Sequence, residues 1–325
     1  MAVIGLLSIR ACVGTLLSVL VIAAILLMSV FGGRGNLRRA EAGELLYEGN
    51  RSTTASGGAK RRRDRVGVER RARHPLDLQP EPAPHRRAVG LLHAWPSSAR
   101  TSARPMSIVC LIGLAGGTTA RQFTQIFGPI PIDGVEIDPA IVDVGRKYFN
   151  MTEPNLNVIV EDGRYFLKTT DHRYDVIGVD AYRQPYIPFQ LTTKEFFQEA
   201  SDHLNDDGVM VLNAGRYGTD YRLVEAIATT MKAVFPNVYL IDVGRFSNTM
   251  VIATKQPTDL ANYAPNIAQL PAGSPLRQVG DASIQTGNIR AWNGGGLVFS
   301  DNRAPVELVI DRLIIDAARH ETQNR

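Results

Sequence analysis

From Ser107 onward, short apolar runs alternate with amphipathic helical stretches, and this alternation constrains the fold more than any other feature. Strand-like runs lie at 108–112, 132–137, 157–160, 175–179, 208–212, 238–243 and 250–254. Between them, apolar residues recur with helical period over 118–127, 139–149, 193–204 and 220–234. Strands separated by helices of this length become parallel neighbours, because each crossover carries a helix that covers one face of the sheet. Residues 244–249 are too few for such a crossover, so the last two strands are predicted to form an antiparallel hairpin. Residues 256–305, rich in Pro, Gly and Asn, read as a long surface excursion, and 305–319 as a closing helix.

A mostly parallel α/β sheet with an antiparallel last strand is the layout of class I methyltransferase-like Rossmann folds. Sheets of this kind bind ligands beyond the carboxyl ends of their strands, so the residues that end each run carry the chemistry. The first run enters Gly113-Leu-Ala-Gly116-Gly117-Thr-Thr and then a helix. Glycines there let the backbone turn sharply and approach a ligand, although such a turn is also common as pure structure. The spacing is not G-x-G-x-x-G and no Lys follows, so neither a dinucleotide fingerprint nor a P-loop is present. The second run ends in Glu136, 23 residues after Gly113, where a carboxylate can accept from both hydroxyls of a ribose. Asp138 before Pro139 reads mainly as a helix cap. The third run ends in Glu161-Asp162-Gly163-Arg164, an acidic turn that can accept from an adenine amino group.

Asp180 ends the fourth run, at the carboxyl end of a central strand, where it can take a proton from an incoming nucleophile or orient it. The loop behind it carries Tyr182, Arg183 and Tyr186 between prolines and suits the wall of a substrate pocket. No histidine has metal-ligand spacing, two cysteines cannot build a zinc site or a disulfide scaffold, and no nucleophile elbow occurs.

These motifs, in this order, resemble the spermidine synthase family of polyamine aminopropyltransferases, and most of all its membrane-fused, spermidine-synthase-like branch. Leu191-Thr-Thr-Lys-Glu-Phe-Phe197 and Ser300-Asp301-Asn-Arg-Ala-Pro-Val-Glu307 extend the resemblance. It implies an enzyme that transfers an aminopropyl group from decarboxylated S-adenosylmethionine to a small amine acceptor, without a metal. Glu136 would hold the ribose, Asp162 the adenine, and Asp180 would receive the proton of the attacking ammonium. Gly113, Gly116, Gly117 and Gly163 would shape the nucleoside site, and Tyr182, Arg183 and Tyr186 the acceptor pocket. A homodimer is the assembly the resemblance allows.

Three departures mark this chain. Gly116 stands where the family's glycine loop usually carries an Asp for the aminopropyl ammonium. Arg183 stands where a second Asp usually follows the first by three residues, and it repels a diamine by about 1 kcal/mol at about 4 Å in water. The family's small N-terminal β-domain should occupy about 45–105, where no strand pattern is read. The alternatives are therefore an S-adenosylmethionine-dependent methyltransferase, or an inactive nucleoside-binding homologue.

The N-terminal third differs in character. Residues 11–31 are 21 residues without a charge, long enough at 1.5 Å per residue to cross a bilayer. Arg34, Arg38 and Arg39 follow the run and only Arg10 precedes it, so a single-pass anchor would leave the bulk of the chain in the cytoplasm. A signal peptide and a buried helix are the other readings of this run. Residues 51–105 hold 13 Lys/Arg against four acids, whereas 106–325 hold 19 against 25. The basic balance thus comes from one stretch. Residues 49–105 lack Ile, Phe and Tyr and keep no apolar period, so 34–105 reads as a disordered Arg/Pro-rich linker or as the product of a shifted reading frame. Only Tyr47 and Trp95 fall among its arginines, too few to interleave them in the way a nucleic-acid-binding surface requires, so no nucleic-acid partner is expected.

Overall fold

The computed structural model describes residues 44–51, 64–70, 106–182, 186–216, 219–243 and 248–323. The 11–31 run lies outside them, and among the described residues no helix is long and apolar enough to cross a membrane. Two short segments inside the stretch read as linker, β1 (Glu44–Arg51) and β2 (Asp64–Arg70), pair as an antiparallel ladder. Ladder bonds are made by the backbone, so a pair of strands can form where side chains leave little apolar signal.

The main sheet has eight strands: β3 (Val109–Ile112), β4 (Ile132–Glu136), β5 (Leu156–Val160), β6 (Tyr174–Val179), β7 (Leu204–Gly215), β8 (Asn237–Val243), β9 (Asn248–Thr254) and β10 (Ile289–Trp292). Their spatial order is β10-β8-β9-β7-β6-β3-β4-β5. Strands β3 to β7 are mutually parallel, as the helical crossovers require. The hairpin β8–β9 is antiparallel as predicted, but β9 does not close the sheet. It lies between β7 and β8 and is antiparallel to both. The excursion expected over 256–305 is partly regular: β10 adds antiparallel to β8 and forms the edge. This is a Rossmann-like α/β fold with antiparallel strands gathered at one end.

Among the described residues eight α-helices complete it: α1 (Thr118–Phe127), α2 (Pro139–Tyr148), α3 (Gly163–Thr169), α4 (Lys194–Asp202), α5 (Arg222–Lys232), α6 (Tyr263–Ala268), α7 (Pro275–Gln285) and α8 (Val306–Gln323). Asp138 caps α2 by accepting from the Ala140 N–H at 2.9 Å, with Pro139 in the first turn where its missing N–H costs nothing. The strand period of two divides the core. Cys110, Ile112, Ile177, Met210 and Leu212 face a layer built from Phe196 and Phe197 of α4, Ile227 of α5 and Ile310 of α8. Val109, Leu111, Val176, Val209 and Val211 face the opposite layer, with Phe123 of α1 and Val142 of α2. Both faces of the central strands are therefore buried, which is why their sequences are apolar throughout. The Cys110 thiol is fully buried, and burial, with the Asp133 carboxylate nearby, pushes its ionisation up.

Candidate active site

The register of the parallel strands aligns their carboxyl ends. Ile112 pairs with Val135 on one side and Val179 on the other, so Gly113, Glu136 and Asp180 emerge side by side. A small cleft there is lined by Gly113, Leu114, Thr119 and Asp180. Gly113 has φ +90°, and a Cβ on it would sit 2.5 Å from the Asp180 carbonyl oxygen. Backbone atoms cannot give way as a side chain can. Gly113→Ala is therefore expected to destabilise the protein by at least about 2 kcal/mol, measured by denaturant unfolding. Gly117, at φ +76°, turns the chain into α1 and leaves no room for a Cβ against Met151. Gly116 packs differently: the Phe149 ring lies 3.2 Å from where its Cβ would be, so an aromatic side chain fills the space beside that position.

Glu136 is buried, and among the described residues its carboxylate is held by two backbone N–H groups. Its Oε2 accepts from the Ala115 N–H at 3.0 Å and its Oε1 from the Asp138 N–H at 3.2 Å. Ala115 reaches this position with φ 48°, an unusual backbone for a residue with a side chain. Each carboxylate oxygen keeps a further lone pair for a ligand hydroxyl. Asp162 ends the loop after β5 and caps α3: its Oδ1 accepts from the Arg164 and Tyr165 N–H groups, both at 3.0 Å. Both bonds fall on one oxygen, so Oδ2 remains for a ligand donor. Gly163 is pressed against Ile112, which brings α3 close to β3.

Asp180 has one side-chain partner among the described residues, the Asn213 amide, which donates to Oδ1 at 2.9 Å. Burial pushes the Asp180 carboxyl above the ordinary carboxylate range, and the Asn213 bond draws it partly back. Asn213 lies two residues from the end of β7 and is itself held, its Oδ1 accepting from the Asn248 amide at 2.9 Å. The Tyr182 hydroxyl donates to the Asn213 carbonyl at 2.8 Å. Burial, then the Asp180 charge, raises the Tyr182 phenol, so it stays a neutral donor. Arg183 lies outside the described residues. The Tyr186 hydroxyl donates to Asp311 Oδ1 of α8 at 2.7 Å.

Two residues central to this arrangement were not singled out from the sequence. Asn213 was one, although its place at a strand's carboxyl end, in Asn213-Ala-Gly, is the signal that flagged Asp180. The other is Arg164. Its guanidinium donates to Glu199 through Nε and Nη2, both at 2.7 Å, and to Asp301 at 2.7 and 2.8 Å; a fifth bond reaches the Gln190 carbonyl at 3.2 Å. Farther along the edge, Arg216 and Arg290 flank the Tyr221 ring at 5.3 and 4.9 Å, with Asp242 accepting from Arg290, Tyr221 and Thr249. Among the described residues no cluster of His, Cys, Asp and Glu is arranged to hold a metal ion.

Residues 99–263, half of the chain, match the spermine/spermidine synthase domain. The chain belongs to that family. Among its relatives, a probable polyamine aminopropyl transferase of Bifidobacterium longum is 31% identical over 228 residues, 64% of this chain and 51% of that one. A polyamine aminopropyltransferase of Clostridium beijerinckii is 38% identical over 109 residues, 32% of this chain and 38% of the relative. The chain thus spans about half, or less, of the curated relatives it matches. Among solved structures, a probable spermidine synthase of Corynebacterium glutamicum superposes with a TM-score of 0.48 at 20% identity, over 63% of this chain and 75% of that one. Human methyltransferase-like protein 13, solved with SAH, gives 0.43 at 24% identity, over 58% and 86%. Within the family-matched span lie all the strand-end residues described above, from Gly113 to Asp180 and Asn213.

Proposed function

We propose that this family member transfers the aminopropyl group of decarboxylated S-adenosylmethionine to an amine acceptor. The observation that carries the reading is Asp180: a half-buried carboxylate beside the glycine turn, held among the described residues by one neutral amide, and lining the cleft. The amine lone pair attacks the methylene carbon next to the sulfonium, a C–N bond forms, and the C–S electrons return to sulfur as methylthioadenosine leaves. An ammonium has no lone pair, so the acceptor must shed a proton before it attacks, and the carboxyl of Asp180, raised by burial, is suited to take it. Glu136, oriented by two backbone N–H groups, offers its free lone pairs to the ribose hydroxyls. Asp162 offers Oδ2 to the adenine amino group. In-line placement of amine and carbon supplies much of the remaining rate.

The test is product analysis with each sulfonium nucleoside and an amine. Methylthioadenosine released from the decarboxylated nucleoside supports the reading. S-adenosylhomocysteine released from S-adenosylmethionine would replace it with methyl transfer, and folded protein that binds neither nucleoside would overturn the roles given to Glu136 and Asp162. Relatives named polyamine aminopropyltransferase support the first outcome.

The Asn213 bond gives a pH prediction. Its amide favours ionised Asp180, and a base works only when ionised. Removing the donor with Asn213→Leu raises the Asp180 carboxyl further, so activity is lost at a higher pH as the solution is acidified. The acid limb of the kcat/KM profile should move upward, with the alkaline limb in place.

The uncharged run at 11–31 followed by arginines supports a further proposal, a single-pass anchor in the inner or plasma membrane with the domain in the cytoplasm. Carbonate extraction of membranes checks it: the full chain should stay in the pellet.

A further inference from the structure

We infer that the segment 299–311, beyond the family-matched span, supports the acceptor side of the active site and sets its affinity for the amine. The inference rests on the aminopropyl-transfer reading. After Tyr182 the described chain resumes at residues 186–191, and two polar ties fasten that stretch to the C-terminal segment. At one end, the Tyr186 hydroxyl donates to Asp311 of α8 at 2.7 Å. At the other, Arg164 holds the Gln190 carbonyl at 3.2 Å while its guanidinium is paired with Asp301 at 2.7 and 2.8 Å. Asp301 also accepts from the Thr193 hydroxyl at 2.7 Å, just past the end of the same loop.

These ties act on one stretch from two sides. Ile187 and Leu191 between them are buried in the core layer that also holds Val179, the residue before Asp180. The wall over the acceptor is thus fixed by apolar packing beneath and charge-assisted bonds at its margins. Arg164 follows the Asp162 cap by two residues, so one short helix, α3, carries both a nucleoside-facing carboxylate and the guanidinium that holds the wall. Asp301, Asp311, Arg164 and Tyr186 are positioning residues: none touches the reacting atoms.

The experiment uses the full chain, decarboxylated S-adenosylmethionine, and 1,3-diaminopropane, 1,4-diaminobutane and 1,5-diaminopentane as amine probes. Tyr186→Phe and Asp301→Asn are each expected to raise the KM of the best amine about tenfold, with nucleoside affinity held within about twofold. Tyr186→Phe combined with Asp311→Ala should be no worse than the more severe single variant, because both remove the same bond. Hydrogen exchange over 186–192 should quicken in Asp301→Asn, a readout that does not depend on turnover. Amine KM unchanged in both single variants, or amine and nucleoside affinities weakened alike, overturns the inference. Wild-type protein that releases no methylthioadenosine with any probe overturns aminopropyl transfer itself, and the inference with it.

Discussion

Asp180→Asn should abolish most turnover, lowering kcat by about 10²- to 10⁴-fold, while calorimetric affinity for decarboxylated S-adenosylmethionine and methylthioadenosine stays near the wild-type value. The substitution keeps the side chain's shape and removes only its ability to accept a proton. Its one side-chain hydrogen-bond partner among the described residues, the Asn213 amide at 2.9 Å, is neutral, so the change strips no charged partner of its counter-ion. The nucleoside groups assigned to binding, Glu136 and Asp162, sit on other strands with their own backbone partners. Loss of rate without loss of nucleoside binding would therefore isolate the proton-transfer role. Full activity in this variant would mean that Asp180 is structural and that the base lies elsewhere.

Arg164→Met should be the most destabilising single change at the site's margin, by about 3 kcal/mol, which for a domain of this size lowers Tm by on the order of 10 °C. The arginine side chain is 10% exposed, and its loss strips Glu199 and Asp301 of their bidentate partner and the Gln190 carbonyl of a donor. Lys168 at 3.1 Å from Glu199 and the Thr193 hydroxyl at Asp301 recover part of the cost, and water screens Asp301, whose side chain is 41% exposed, which keeps the loss no higher than the lower end for a broken buried pair. Arg164→Lys should lie between, since an ammonium keeps the charge but cannot serve two carboxylates in one plane. Thermal denaturation of the three proteins checks the order. Equal stability of wild type and Arg164→Met would show that the ion pairs only balance their desolvation.

How much of this was legible in the sequence depended on the range of the interaction. Helices α1 and α2 fall within a residue of their predicted bounds because a ten-residue apolar period and, for α2, the Asp138-Pro139 start are local signals. Helix α3 was read only as a turn, since seven residues barely complete two helical turns and give no period to count. Strand β10 was lost in a Gly- and Asn-rich stretch because an edge strand of four residues is defined by its pairing to β8 rather than by its own pattern. The position of β9 between β7 and β8 was hidden for the same reason: the hairpin was visible, its insertion was not. At the site, the strand-end carboxylates could be found one strand at a time. Arg164 could not, because its partner Asp301 lies 137 residues away and nothing local announces that the two meet.

The placement of Cys110 gives the protein a built-in reporter. It sits in β3, between β4 and β6, with no exposed surface and a thiol that resists ionisation. Alkylating reagents attack thiolates that they can touch. With Cys12 replaced by Ser, the rate of labelling at Cys110 would count the moments when the centre of the sheet comes apart, and a ligand that bridges Gly113, Glu136 and Asp180 would slow that clock in proportion to its occupancy.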